Sequence, residues 1–248
     1  MKNQIIKTGD LLDKKIKKQQ MTVQEKDEAL SLVSTTTQLS DFNNTPFVIE
    51  AATENTVLKQ DIFKQLSLIT DPGHAILASN TSSISITLLG GQTQNAANVI
   101  GMHFMNPVPV MRLVEIINGL ATSQETFDTT VALAKAMGKV TTVSKDSPGF
   151  IANRILMPYI NEAIQCKYEG IASVEDIDET MKGGTNVPMG PLTLADFIGL
   201  DTCLAIMRVL HNEFGDSKYR PSPLLVKMVE AGWLGKKTGK GFYTYEKK

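Results

Sequence analysis

An α/β region followed by an all-helical region is what this 248-residue sequence predicts, with the division at Asp146/Ser147, giving domains 1–146 and 147–248. Three observations carry that expectation. The first half alternates short apolar runs with amphipathic stretches of helical period, the pattern of a parallel sheet joined by helices. Those apolar runs end in polar turns, where ligands gather in such sheets. From Ser147 onward only helical patterns recur, punctuated by Gly and Pro.

The opening MKNQIIKTGDLLDKKIKKQQ is Lys-rich, yet Ile5, Leu12 and Ile16 recur at helical spacing beside Asp10 and Asp13. A solvated helix is expected there rather than an apolar signal core. Thr22-x-x-Glu25 then has the order of a capping box before a second helix. Residues 46–52, PFVIEAA, read as a strand buried on both faces. Asn55 is an N-cap for a helix carrying Leu58, Ile62, Leu66 and Ile69 on one face, which Asp71-Pro72-Gly73 stops. Ala75–Ala78 is the next buried strand, followed by the polar run Ser79-Asn-Thr-Ser-Ser83. Thr122-Ser-Gln-Glu125 caps a helix with Phe127, Val131 and Ala134 on one face, closed by Gly138, and Val140–Val143 is the last short strand. Ser147-Pro148 reads as the cap and first turn of a long helix reaching Tyr168. Ser173-x-x-Asp176, Asp201 and Ser222-Pro223 open three more.

Charge excludes some partners. Lys+Arg (25) and Asp+Glu (26) nearly cancel, so no general field draws the chain to nucleic acid or to an anionic membrane. No run approaches the ~20 apolar residues of a membrane span. Cys166 and Cys203 sit in helical segments without metal-ligand spacing, so plain packing in a reducing compartment is expected, with no disulfide and no metal site.

The run VIGMHFMNPVPVMRLVEII (99–117) places His103 in one apolar stretch and Glu115 in the next. Each is open to a plain reading as a half-buried polar group at a strand end, satisfied by backbone. Asn153 shares an apolar helical row with Met157, Ile160 and Ile164; it either binds backbone at the domain junction or reaches a site under the sheet. Ser82 either caps the next helix, a task open also to Ser83 and Ser85, or serves that site.

ASNTSS (78–83), GMHFMNPVPVMRLVE (101–115), DSPGFIANR (146–154), VPMGPLTLADFIGLDT (187–202) and GKKTGKGFY (235–243) occur in one order. Together they resemble the 3-hydroxyacyl-CoA dehydrogenases, most of all the bacterial-type 3-hydroxybutyryl-CoA dehydrogenases, from about Leu12 to Tyr245. The resemblance implies a truncated Rossmann-like parallel sheet domain followed by an all-α C-terminal domain. It implies His103 as general acid/base, a task suited to imidazole because its reference pKa lies near 6.5. Glu115 would orient it and stabilise its protonated form, the logic of the acid in a hydrolase triad without the nucleophile. Ser82 and Asn153 would hold the substrate. Glu54, Lys59, Ser82, Asn106 and Lys237 would bind NAD or NADP, with plain surface readings open for Lys59 and Lys237. Lys18, or Lys17, would meet the acyl-CoA phosphates. The helix bearing Ile155, Leu156, Met157, Ile160 and Ile164 has apolar faces on several sides, which a homodimer through the helical region or a self-contained helical bundle would cover; the resemblance implies a place in fatty acid or butanoate metabolism.

The family opens with a strand, a Gly-x-Gly-x-x-Gly turn, a helix and a second strand, and none of these is found; Met1 falls inside what resembles the following helix. Roughly 40 residues, one βαβ unit, are expected to be missing. Those glycines let a backbone approach a pyrophosphate, so a non-catalytic dimerising or acyl-CoA-binding remnant is the alternative reading. The 6-phosphogluconate type of β-hydroxyacid dehydrogenase relies on a lysine, and the His103/Glu115 pairing argues against it. Cytoplasmic placement is expected, although an organellar address would be lost with the missing unit.

Overall fold

The computed structural model of the chain describes residues 2–246, with side chains from residue 9 onward. The chain divides after Asn44 into two compact units. In the first, α1 (Lys2–Lys17) and α2 (Val23–Ser31) form as predicted. Thr22 Oγ1 accepts from the Glu25 amide at 3.1 Å while the Glu25 carboxylate accepts from the Thr22 amide at 2.7 Å, completing the capping box. Leu12 and Ile16 are half-buried, α2 buries nothing, and Lys17 and Lys18 are exposed. The side chain of Ile5, and Met1, lie outside the described residues.

The second unit begins with β1 (Phe47–Glu50), α3 (Thr56–Ile69), β2 (Ile76–Ser79), α4 (Ile86–Gly90), β3 (Val99–Phe104), β4 (Leu113–Asn118), α5 (Gln124–Ala136) and β5 (Val140–Lys145). The sheet order is sequential, β1 to β5. Strands β1, β2 and β3 are parallel as expected, but β4 runs antiparallel to β3, and β5 follows β4. The connection from Phe104 to Leu113 is too short for a parallel crossover, which needs a dozen or more residues, so the two strands pair as a hairpin.

Side chains alternate between the two faces of each strand. Ile76, Ala78, Ile100, Met102, Val114 and Ile116 form one face, a core packed against Phe127, Val131 and Ala134 of α5. The other face receives Glu50 opposite Ser79, and His103 opposite Glu115. All the chemistry of the strands is therefore on one side of the sheet.

Three local expectations are corrected. Strand β1 is not buried on both faces: it is an edge strand, and Ile49 is 37% exposed. On α3 the buried stripe is Lys59, Phe63, Leu66 and Ser67, while Leu58 is 41% exposed. The helix is turned by about one position because Glu50 draws Lys59 inward, its Nζ lying 2.8 Å from both carboxylate oxygens. Finally, the long helix does not start at Ser147-Pro148. Those residues form a turn, Phe150 N to Ser147 O 2.9 Å, and Gly149 and Phe150 have φ of +74° and +50°, which the right-handed helix excludes. Helix α6 spans Ala152–Tyr168.

The remaining helices are α7 (Val174–Thr185), α8 (Pro191–Ile198), α9 (Leu200–Phe214) and α10 (Pro223–Glu230). Ser173 caps α7, and Ser222-Pro223 opens α10 as predicted; α9 has Gly199 at its cap position and Asp201 in its first turn. Helix α8 is absent from the sequence expectation. Its oxygen cap comes from elsewhere: Asp178 on α7 accepts from the Leu192 and Thr193 amides at 2.8 and 2.9 Å. Asp196, 1% exposed, accepts from the amides of Phe242 and Tyr243 and from the Tyr245 hydroxyl. This explains the glycines of GKKTGKGFY. A Cβ on Gly241 would overlap the Asp196 carboxylate, and Gly235 (φ +90°) lies against the Asp196 backbone.

Met157, Ile160, Ile164, Leu192, Ala195, Cys203, Leu204, Met207 and Leu225 share the helical core. Burial, with the Asp201 charge nearby, pushes the Cys203 thiol up to about 12. Only the half-buried Cys166 is thus expected to react with a thiol reagent near neutral pH in the native state, and both cysteines after denaturation. Counting labelled thiols by mass checks this. Among the described residues no helix is long and apolar enough to cross a membrane, and no group of three or more His, Cys, Asp or Glu could hold a metal ion.

Candidate active site

The β3–β4 hairpin makes the central pair. Directly opposed residues of an antiparallel pair project to the same face, and His103 and Glu115 occupy one such pair. His103 Nδ1 lies 2.8 Å from Glu115 Oε2. Glu115 Oε1 accepts from the amides of Ile151 and Ala152, at 3.1 and 3.0 Å. The late start of α6 is what leaves those amides free, and the positive end of the helix dipole favours a carboxylate there. Burial pushes the Glu115 carboxyl up, but the His103 ring and the two amides outweigh it and hold the group below its ordinary value.

The other face of the imidazole meets the loop after β2. Ser82 Oγ lies 3.1 Å from His103 Nε2, and Asn153 Nδ2 on α6 donates to Ser82 O at 3.2 Å. Both open readings of Asn153 thus meet at one atom: it binds backbone, and that backbone belongs to the site. Capping of α4 falls to Ser85, which accepts from Leu88 N, so Ser82 is free for His103. Glu54, from the turn after β1, accepts through Oε1 from Thr81 Oγ1, Ser82 N, Ser83 N and Ser83 Oγ at 2.6 to 3.2 Å.

Residues that the sequence did not single out for a catalytic or binding role also hold this loop. Asp146 at the end of β5 accepts from Ser85 Oγ, Ile86 N and Thr87 N at 2.7, 3.1 and 2.7 Å. Asn80 Oδ1 accepts from Phe104 N at 3.0 Å, joining the loop to the end of β3. Glu50 accepts from Ser79 Oγ at 2.7 Å as well as from Lys59. Each of them stands at a strand end, and Asn80 and Asp146 also fall within the runs ASNTSS and DSPGFIANR.

A cleft of ≈ 820 Å³ opens over these loops, lined on the sheet side by Glu54, Asn80, Ser82, Ser83 and Asp146. Its far wall is the α9 stripe Asp201, Ala205, Ile206, Val209 and Glu213. His103, 6% exposed, sits one hydrogen bond behind this lining, through Ser82. Not every candidate reaches the cleft. Lys59 is fully buried beneath it, its Nζ 3.9 Å from Glu54 Oε2. Asn106 is exposed on the β3–β4 connection and does not line the cleft. Lys237 pairs with the cleft residue Asp201, Nζ to Oδ2 2.6 Å. Lys18 belongs to the first unit.

Comparison with known proteins gives matches along the whole chain. A family model described as "3-hydroxyacyl-CoA dehydrogenase, NAD binding domain" matches residues 1–147, and one described as "3-hydroxyacyl-CoA dehydrogenase, C-terminal domain" matches 149–245. A probable 3-hydroxybutyryl-CoA dehydrogenase of Bacillus subtilis is 58% identical over 92% of this chain and 79% of that protein. The human mitochondrial hydroxyacyl-coenzyme A dehydrogenase is 45% identical over 89% of this chain and 70% of its own length. Among solved structures, (S)-3-hydroxybutyryl-CoA dehydrogenase from Ralstonia eutropha superposes with a TM-score of 0.96 at 52% identity, covering 99% of this chain and 87% of that one.

Proposed function

Because the chain belongs to the 3-hydroxyacyl-CoA dehydrogenase family, we propose that it interconverts short (3S)-3-hydroxyacyl-CoA and 3-oxoacyl-CoA esters with NAD(H), 3-hydroxybutyryl-CoA being the preferred substrate. The observation that carries the reading is the continuous hydrogen-bonded line Ser82, His103, Glu115 ending on the α6 amides.

The cleft lining fits the nicotinamide-ribose end of the cofactor. Glu54, Asn80, Ser82 and Ser83 present oxygens and amide nitrogen beyond the ends of β1 and β2, suited to a ribose diol and a carboxamide. Its ionisable residues, Glu54, Asp146, Asp201 and Glu213, are all acidic and suit a cationic ring rather than a pyrophosphate. When bound, the nicotinamide supplies the acceptor for hydride from C3. His103 Nε2 takes the proton of the 3-hydroxyl as that hydride leaves, and Glu115 stabilises the imidazolium from Nδ1. In the reverse direction the same nitrogen returns the proton to the ketone oxygen. Ser82 hydrogen-bonds the reacting oxygen, and Asn153 fixes Ser82 and the thioester region, removing part of the entropic barrier. Glu54 is proposed on the cofactor side, with Lys59 supporting it from beneath the cleft and Lys237 acting through its pair with Asp201, whereas Asn106 lies outside the cleft lining. The helical region from Ser147 is proposed as the dimerising domain, and exposed Ile155 on α6 and Phe197 on α8 supply apolar surface for it. A role in fatty acid or butanoate metabolism is part of the same proposal.

Calorimetric titration with NADH and NADPH, followed by acetoacetyl-CoA-dependent oxidation of the bound dinucleotide, tests the proposal. Saturable binding of NADH with turnover is expected. A folded chain that ignores both dinucleotides and oxidises neither overturns the enzyme reading in favour of an acyl-CoA-binding or dimerising remnant.

A further inference from the structure

Between Ser79 and Ile86 the chain has no regular secondary structure, so no ladder of backbone hydrogen bonds holds Ser82 in place. Asn153 donates to Ser82 O, and two carboxylates hold the two ends of the segment. Asp146 secures the downstream end at the α4 amides. Glu54 secures the upstream end, and all four of its donors come from Thr81, Ser82 and Ser83.

We infer that Glu54 is a positioning residue, which fixes the Thr81–Ser83 backbone so that the Ser82 hydroxyl meets His103 Nε2. This rests on the dehydrogenase reading for its catalytic meaning, while the geometry itself does not depend on it. An oxygen that accepts four hydrogen bonds has no lone pair left for a ribose hydroxyl. Any contact of Glu54 with the cofactor therefore falls to Oε2, and Oε1 serves the loop. Glu54 is in turn held from behind: Lys59 is fully buried, is fixed by Glu50 on two sides, and reaches within 3.9 Å of Oε2. The buried Glu50–Lys59 pair, at the carboxyl end of β1, thereby acts on His103 through two intermediaries, Glu54 and Ser82.

The test uses the cofactor-free full chain and two signals that do not require turnover. In Glu54→Ala, loss of charge-assisted hydrogen bonds is expected to speed exchange of the Ser82 and Ser83 amide hydrogens by about 10- to 100-fold, with the Met102 amide in β3 unchanged as the control for folding. The 15N resonance of His103 Nε2 is expected to move to its position in Ser82→Ala. Glu54→Gln keeps one acceptor oxygen and is expected to recover part of both effects. Kinetics give the third readout, a fall in kcat of about tenfold or more in Glu54→Ala, beyond any rise in KM for NADH from the loss of Oε2. Unchanged exchange overturns the inference, as does faster exchange with an unmoved Nε2 resonance. A raised KM for NADH at full kcat also overturns it and assigns Glu54 to the cofactor alone. Absence of turnover in the wild-type chain counts against the dehydrogenase reading instead, and the exchange and resonance signals still decide the role of Glu54.

Discussion

His103→Gln is expected to lower kcat for acetoacetyl-CoA reduction by about 10² to 10⁴-fold, the range of a positioned general acid or base, while NADH affinity stays close to that of the wild type. Three of the carboxylates that line the cleft are already engaged elsewhere. Glu54 Oε1 already accepts four hydrogen bonds, Asp146 accepts three from the start of α4, and Asp201 is paired with Lys237. Glutamine can still donate toward Glu115 and reach Ser82, so the hairpin and the cleft persist and the loss falls on proton transfer. The measurement is steady-state kinetics with a thermal melt of the same sample. A kcat within tenfold of wild type, in a folded variant, would remove His103 from the chemistry.

The pairing of His103 with Glu115 was legible only through the family resemblance, since the residues alone left each of them open to a plain reading as a polar group satisfied by backbone. Short caps were legible from the residues themselves: Thr22, Asn55 and Ser173 each need only a neighbour three residues away. Orientation of β4 was not, since apolar runs look alike in parallel and antiparallel sheets. The face of α3 was misread because Lys59 was taken as a polar position, when Glu50 nine residues earlier makes its burial favourable. Helix α8 is short, starts at Pro191 between Gly190 and Gly199, and takes its capping oxygen from Asp178 on another helix. Asp146 escaped for the same reason. Its partners at Ser85, Ile86 and Thr87 are some 60 residues away, and only the folded sheet brings them together.

Glu115→Gln is expected to cost about 2 to 4 kcal/mol of stability at pH 7, the scale for removing one member of a buried, charge-assisted network. The carboxylate is 1% exposed and accepts from three donors, the His103 ring and two α6 amides. An amide has one acceptor oxygen, so one side of that arrangement must be lost. Because the folded-state value of Glu115 lies below its ordinary 4.5, the stabilisation is present above that value and disappears as pH falls through the lower folded value. The gap between wild type and variant in denaturant midpoint should therefore be largest near neutrality and close in strong acid. A gap that stays constant with pH would mean that the charge of Glu115 contributes nothing. The same substitution acts on catalysis through the tautomer. If the Gln oxygen keeps the Ile151 and Ala152 amides, its NH₂ faces His103 Nδ1, which must then accept. The ring proton is driven to Nε2, the nitrogen that has to be bare to receive the substrate proton, so alcohol oxidation falls even in molecules that remain folded. Glu115→Asp keeps two acceptor oxygens and should retain the tautomer while weakening the reach to α6. Its kcat is accordingly expected to exceed that of Glu115→Gln, and the reverse order would show that carboxylate reach, rather than tautomer control, is what His103 needs.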